Sequence, residues 1–496
     1  MDKLKSFFSG ASGDSFFLMF VRMVTLVFGL LMTRMLSGHF SLQDYGTYSQ
    51  VMLITTTVSS LTIMGMMDGI NFFFCKEKEK IKRDQYISTI FFLQYVIAAI
   101  AAIIVLACAI PISKYFDNAN LKSLIIFAAC LPVLQNMTSL LQIMFVAIGK
   151  AKVIAIRNLI VSVVKLGAVI GACYIFNSLV ALLLCQLLME FLQVVYFRVS
   201  LHKKKYEIKI FKFNKSLIKE ILNYCIPMGL FSILKSLNRE ADKFVISFFT
   251  NTETLAVYTN ASKILPFDVV MTALCTVLLP YITKYISSGQ YDKVQALYKV
   301  FLEVSYVSTA ILAIGAICVA PELMRFLYTE KYSRYDYGIS VFIIYTIVDI
   351  LSVLNITLIL SAAGKAKMIM FTSAGTFFAN IILNIVCYFG WQEIGPAIAT
   401  LFVSFVQGII LLSLSAKELK FHIVDFFNIK YMLLFLGETV CFFTLAFLLR
   451  RYALNKNVHY LVVLFLCFFA FAIPMFVLNC RRLLKNLTEI NTHKLR

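Results

Sequence analysis

The sequence lacks every common signature of nucleotide hydrolysis and of hydrolytic catalysis. Gly149–Lys152 and Gly364–Lys367 both read GKAK, but neither has the upstream Gly or the following Ser/Thr of a phosphate-binding loop. H-E-x-x-H and G-x-S-x-G are absent, which removes zinc-peptidase and α/β-hydrolase chemistry. The twelve cysteines include no C-x-x-C pair and lie in or beside apolar segments, where they read as small polarizable membrane residues. The five histidines (His39, His202, His422, His459 and His493) fall in loops or at segment ends, unpaired for haem. No metal site and no cofactor is expected. Tryptophan occurs once, as Trp391 in a short loop, so Tyr and Phe must supply the rest of an interfacial aromatic belt.

What the sequence does have is apolar surface. It is 60% hydrophobic with a mean hydropathy of +0.84, far outside the range of soluble domains. Crossing a bilayer takes roughly 20 apolar residues. Fourteen such stretches run at 14–37, 46–74, 87–110, 121–147, 153–176, 178–200, 220–248, 254–286, 294–320, 336–362, 368–389, 393–415, 430–450 and 459–480. The expected fold is all-α and polytopic. The first stretch is full length and follows a charged start, so it is not expected to be a cleaved signal peptide.

The formal net charge of +20 suits nucleic acid less well than it suits a membrane. Basic residues collect in alternate loops: Lys3, Lys5, Lys76–Arg83, Lys150, Lys152, Lys203–Lys219, Lys284, Lys293, Lys365, Lys367, Lys417, Lys420 and Arg481–Arg496. The intervening loops hold only a scatter, such as Lys114, Arg325 and Arg450. By the positive-inside rule both termini are cytoplasmic, and the partners are membrane lipids, with no nucleic acid.

The chain also repeats itself. Ser41–Gln50 (SLQDYGTYSQ) returns in outline 210 residues later at Asn251–Asn260 (NTETLAVYTN), and GKAK returns after 215 residues. Each repeat holds six stretches, an even number, so the two run parallel, and a substrate cavity is expected between them. This sets the expected organisation as 1–200 (first six-helix lobe), 201–219 (cytoplasmic linker), 220–416 (second lobe) and 417–496 (a final helix pair and tail). His202–Glu220 alternates Lys with Phe and Ile, which fits an amphipathic surface segment or a plain linker equally.

Charges inside apolar helices are costly and usually face a bundle interior or water. They concentrate here in the first two stretches of each repeat: Arg22, Arg34 and Asp68, then Lys235, Arg239, Glu240, Asp242, Lys243, Lys263 and Asp268. Lys235, Asn238, Arg239 and Asp242 fall on one face of a helix. Arg22, Lys235 and Arg239 lie deep and make the core of a candidate cationic site, with Arg34 and Lys263 as further members. Arg34 and Lys243 sit near helix ends and read equally as snorkelling side chains. Asp68, Asp242 and Asp268 are gating or ion-coupling candidates, although salt bridging and capping fit Asp68 and Asp268 as well. Glu240 points away from the stripe. Lys165, Glu190, Glu303, Asp349 and Glu438 read as isolated charges. Pro266 removes a backbone donor near Asp268 and allows a bend there. The hydroxyls of Thr55–Thr62 suit helix contacts or a wet cavity.

Several segments resemble the polysaccharide transporter family, the Wzx-type flippases of the multidrug/oligosaccharidyl-lipid/polysaccharide flippase superfamily. They are Leu36–Tyr48 (LSGHFSLQDYGTY), Met64–Asp68 (MGMMD), Ile226–Pro227, Asp242–Ser247 (DKFVIS), Ala256–Tyr258, Asn380–Asn384 (NIILN), Gly390 and Gly395–Thr400 (GPAIAT). Ala256 stands where the family has Gly, and Pro396 departs from its pattern. The resemblance implies fourteen helices, two lobes and no enzymatic step. It further implies outward movement, by alternating access, of an undecaprenyl-diphosphate-linked oligosaccharide of O-antigen or capsule type across a bacterial inner membrane. Glycan polymerase and chain-length proteins are implied partners. A diphosphate suits guanidinium and ammonium donors. The alternatives are a drug/cation antiporter of the same superfamily, which wants acidic cavity residues, and a membrane-embedded glycan polymerase or ligase, which wants a large outer loop.

Overall fold

A computed structural model describes residues 11–77, 79–148, 151–203, 213–263 and 265–495. Among these residues every regular element is helical and no strand occurs. A bilayer offers no hydrogen-bond partners, so a spanning backbone satisfies itself by coiling.

The first compact unit, Met1–Ala256, contains α1 (Ala11–His39), α2 (Leu42–Ile63), α3 (Met66–Lys76), α4 (Lys80–Ala107), α5 (Ala109–Tyr115) and α6 (Leu121–Ala147). It continues through α7 (Ala151–Gly171), a short π-helical end at Ala172–Phe176, α8 (Leu179–Lys203) and α9 (Lys215–Phe249). The second unit, Val257–Arg496, begins inside α10 (Thr252–Ala261). Its helices are α11 (Val269–Ser287), α12 (Tyr291–Cys318), α13 (Ala320–Tyr328), α14 (Glu330–Ser333), α15 (Asp336–Leu351) and α16 (Leu358–Ala362). It ends with α17 (Ala366–Trp391), α18 (Gly395–Leu419), α19 (Ile429–Asn455) and α20 (Tyr460–Leu495). The repeat boundary in the sequence lies at 201–219, whereas the compact units divide between Ala256 and Val257.

Ten stretches among the described residues are long and apolar enough to cross a membrane, and one of them, Lys367–Leu419, holds both α17 and α18. The chain is a multi-pass membrane protein. The most buried spans are α6 in unit 1 and α12 in unit 2, with 67% and 61% of their most apolar stretches buried, against 17% for α19 and 28% for α20. Aromatic packing fills unit 1 around Phe73, Phe91, Phe145 and Phe197, and unit 2 around Tyr298, Phe301 and Phe426.

The duplicated segment keeps its local geometry. Ser41 Oγ caps α2 by accepting the Asp44 N–H at 3.0 Å. At the matching place Asn251 Oδ1 accepts the Thr254 N–H at 2.8 Å and starts α10. A side-chain oxygen three residues before the bonded amide is the ordinary way to satisfy a helix start. Both capped helices are then interrupted. Met64 and Gly65 take left-handed φ values of 40° and 70° between α2 and α3. A 3-10 turn at Pro266–Asp268 precedes α11.

Two ion-pair sets fix the last helix pair within unit 2. Arg450 of α19 grips Glu322 of α13 with Nε and Nη2 at 2.9–3.0 Å. Arg482 of α20 donates to Glu303 of α12 at 2.6 Å and stacks 3.5 Å over the Tyr431 ring. Tyr431 donates to Asn479, which donates to Glu438 at 3.1 Å.

Candidate functional site

The seventh apolar stretch is one continuous helix, α9, and it packs along its length on the helices before it. Toward its middle, α9 and the α2–α3 break meet backbone to backbone, since a Cβ on Gly229 would stand 2.4 Å from the carbonyl carbon of Met64. Farther along, the Ser236 and Ser60 hydroxyls pair at 2.6 Å, and Tyr115 Oη donates to the Phe244 carbonyl at 2.9 Å. Just beyond α9, Gln50 Nε2 donates to Thr252 Oγ1 at 3.3 Å. Gly46 accommodates the same threonine, because a Cβ there would lie 2.2 Å from the Thr252 carbonyl oxygen. Small residues at these points let helices approach closely.

This seam uses the face of α9 that carries Gly229 and Ser236. Helical spacing puts Lys235, Asn238, Arg239 and Asp242 on a different face. Arg239 is exposed, and among the described residues no ion pair involves it, while Asp242, three residues on, is 1% exposed. Glu240 and Lys243 form an ion pair at 2.7 Å, each with a half-buried side chain. Lys243 is therefore held by its neighbour on the same helix.

The side chains of Arg22 and Lys235 lie outside the described residues, although both positions are helical, in α1 and α9. Arg34 is half-buried near the end of α1, where its carbonyl accepts the Ser37 hydroxyl at 3.1 Å. Asp68 is exposed in the first turn of α3, just past the Met64–Gly65 break. In unit 2, Lys263 is exposed where α10 ends. Asp268 is half-buried at the start of α11, and its Oδ2 accepts from Thr272 Oγ1 at 3.3 Å. Thus Arg34, Asp68, Arg239 and Asp242 share unit 1, and Lys263 and Asp268 share unit 2. The two acids next to helix breaks sit at helix N-termini, where backbone N–H groups favour negative charge.

The family described as polysaccharide biosynthesis protein matches residues 31–336, more than half of the chain. The chain belongs to this family. A comparison with curated protein sequences finds no match. Among solved structures, lipid II flippase MurJ in an inward closed conformation gives a TM-score of 0.72 at 16% identity, covering 94% of this chain and 99% of that one. An inward-facing multidrug resistance MATE transporter of the MOP superfamily gives 0.64 at 12% identity, covering 82% and 99%. A MOP superfamily transporter from Pyrococcus furiosus gives 0.56 at 14%, covering 82% and 94%. The fold of this polysaccharide biosynthesis protein is therefore that of the MurJ and MATE transporters, as the sequence motifs implied.

Five charges that looked isolated in the sequence of this family member have surroundings. Lys165 and Glu190 bond each other at 2.9 Å, Glu303 bonds Arg482, and Glu438 accepts from Asn479. Asp349, 6% exposed, accepts the backbone N–H of Leu265 beside Asp268. Sequence reasoning missed Arg157 and Glu322, which are 6% and 5% exposed. Arg157 had a signal, since it falls inside an apolar stretch soon after the first GKAK segment.

Proposed function

We propose that this protein is a flippase that moves an undecaprenyl-diphosphate-linked oligosaccharide repeat unit, of O-antigen or capsule type, across the bacterial inner membrane by alternating access. The observation that carries the reading is Arg239. It is an exposed guanidinium on a membrane helix, and among the described residues it has no counter-ion. A cation without a counter-ion is costly wherever it meets apolar surroundings unless an anion visits it, and a diphosphate matches the planar fork of arginine. Arg22, Arg34, Lys235 and Lys263 are its proposed companions in headgroup binding. Asp68, Asp242 and Asp268 are the proposed gating or ion-coupling acids. Membership in a polysaccharide biosynthesis family supports a glycan cargo. So does the likeness of the fold to that of lipid II flippase MurJ.

The proposed topology has fourteen crossings and both termini in the cytoplasm. It adds α1, the α10–α11 pair and the α15–α16 pair to the long spans. The two six-helix repeats remain the proposed lobes, with α19 and α20 appended. Glycan polymerase and chain-length proteins are proposed neighbours in the same membrane. An ion-coupled drug antiporter is the second reading, and the acids at the two helix breaks favour it.

Complementation of glycan export in a flippase-null strain tests the proposal, with protein levels checked by immunoblot. Wild type is expected to restore export and the triple variant Arg22→Ala/Lys235→Ala/Arg239→Ala to fail. Full export by the triple variant would sink the cationic-site reading.

A further inference from the structure

The α3 helix is the second part of a long apolar span. It follows the Met64–Gly65 break, and the whole span runs Leu42–Phe74. Three of its residues, Asp68, Asn71 and Phe72, are exposed. Spacings of three and four put them on one face of the helix. A carboxylate and a carboxamide are costly against hydrocarbon, so this face of the span meets water.

The same helix sets its aromatic groups into a fixed stack. The Phe72 ring lies nearly parallel to that of Tyr224 on α9, with centroids 4.2 Å and planes 15° apart. Phe73, 1% exposed, meets Tyr224 edge-on at 5.7 Å and stacks on Tyr86 of α4 at 4.5 Å. Gly69 permits the approach, since a Cβ there would lie 2.5 Å from Cys225 Sγ. Tyr224 covers one side of the Phe72 ring, and Phe72 is still 37% exposed. The ring is held in place before anything binds, which spares a ligand the cost of ordering it.

The chemistry of this face selects a class of ligand. A pyranose ring carries C–H groups on its faces and hydroxyls around its rim. The C–H faces pack on an aromatic ring, whose own face is electron-rich. A carboxylate accepts from hydroxyls, and a carboxamide both donates and accepts, so Asp68 and Asn71 match the rim. An alkyl chain has no use for either polar group. A phosphate meets repulsion from Asp68. An organic cation suits Asp68 and the ring but makes no use of the Asn71 carboxamide. Asp68 also discriminates among sugars, because a uronic acid would set a second carboxylate beside it.

We propose that Asp68, Asn71, Phe72 and Tyr224 form the subsite for one neutral sugar of the cargo, with Phe72 as its stacking platform. This rests on the glycan-flippase reading above, and it adds sugar binding to what Asp68 does.

Saturation-transfer NMR on the full-length protein in lipid nanodiscs, free of sugar-based detergent, reads the subsite directly. The probes are methyl β-D-glucopyranoside and methyl β-D-glucuronide, the same ring without and with a carboxylate. Wild type is expected to bind the glucoside, and Phe72→Leu to bind it about two- to tenfold more weakly, the range of an aromatic stack. Phe72→Tyr keeps the ring and is expected near wild type. Asp68→Asn is expected to narrow the preference for glucoside over glucuronide. No glucoside binding by wild type, or equal binding by wild type and Phe72→Leu, overturns the platform. Phe72-dependent binding of tetraphenylphosphonium in its place would give the face to an organic cation. If Phe72→Leu unfolds, Asp68→Asn decides, and an unchanged preference overturns the subsite. The export assay separates the two readings. A wild type that binds glucoside yet exports nothing refutes the flippase alone, and wild-type export by Phe72→Leu refutes the subsite alone.

Discussion

Gly65 and Gly229 hold two membrane helices at backbone contact. A Cβ on Gly65 would lie 2.4 Å from the Cys225 carbonyl oxygen and 2.7 Å from the Gly229 nitrogen. Real Cβ atoms do not tolerate such distances, and Gly65 also holds a φ of 70° that side chains disfavour. We expect Gly229→Val to lower the melting temperature in detergent, since overpacking costs about 1–3 kcal/mol. Gly65→Ala is expected to be worse for its size, because strain adds to collision. An unchanged melting curve for Gly229→Val would mean that α9 stands away from α2.

The Glu322–Arg450 pair should show the asymmetry of a buried ion pair. Removing one partner strands the other, at a cost of about 3 kcal/mol, whereas replacing both by apolar residues is close to neutral. Arg450→Met is therefore expected to melt well below Glu322→Leu/Arg450→Met. Equal losses in the single and double variants would rule out a net electrostatic contribution.

Arg239→Ala should reduce headgroup binding by the worth of one hydrogen bond to a charged group, about 1.5–3 kcal/mol. Arg239→Lys should retain part of the export, because charge survives while the bidentate fork is lost. Lysine performing as badly as alanine would point to shape at that position and away from anion recognition.

Reporter fusions check the proposed topology. Fusions after Lys76–Arg83 and after Lys203–Lys219 are expected to report the cytoplasm, and one near Trp391 the outside. A cytoplasmic Trp391 loop would break the fourteen-helix map.

The helical architecture was legible because the bilayer imposes it: long apolar runs have one way to satisfy their backbones. Ser41 and Asn251 occupy matching places in the sequence, and both cap a helix start, but the capping bonds themselves show only in the structure. The break at Met64–Gly65 was harder to read. Gly65 alone does not announce a left-handed pair, and Met64 gives no sign of one. Charge partners were the least visible. Helical spacing relates residues on one helix, but Lys165 and Glu190 meet across two successive helices, and Glu303 and Arg482 across helices far apart in sequence. Lys243 shows the opposite limit, because its partner Glu240 was one turn away and still read as pointing elsewhere.

The two ion-pair sets on α19 and α20 change what an appended hairpin means. Arg450 ties α19 to α13, and Arg482 ties α20 to α12 more than a hundred residues upstream. Clamped at both ends, the hairpin has no swivel of its own and rides with unit 2 as a fixed fin. A deletion of α19 and α20 would take Arg450 from Glu322 and Arg482 from Glu303, and so disturb the body it was meant to spare.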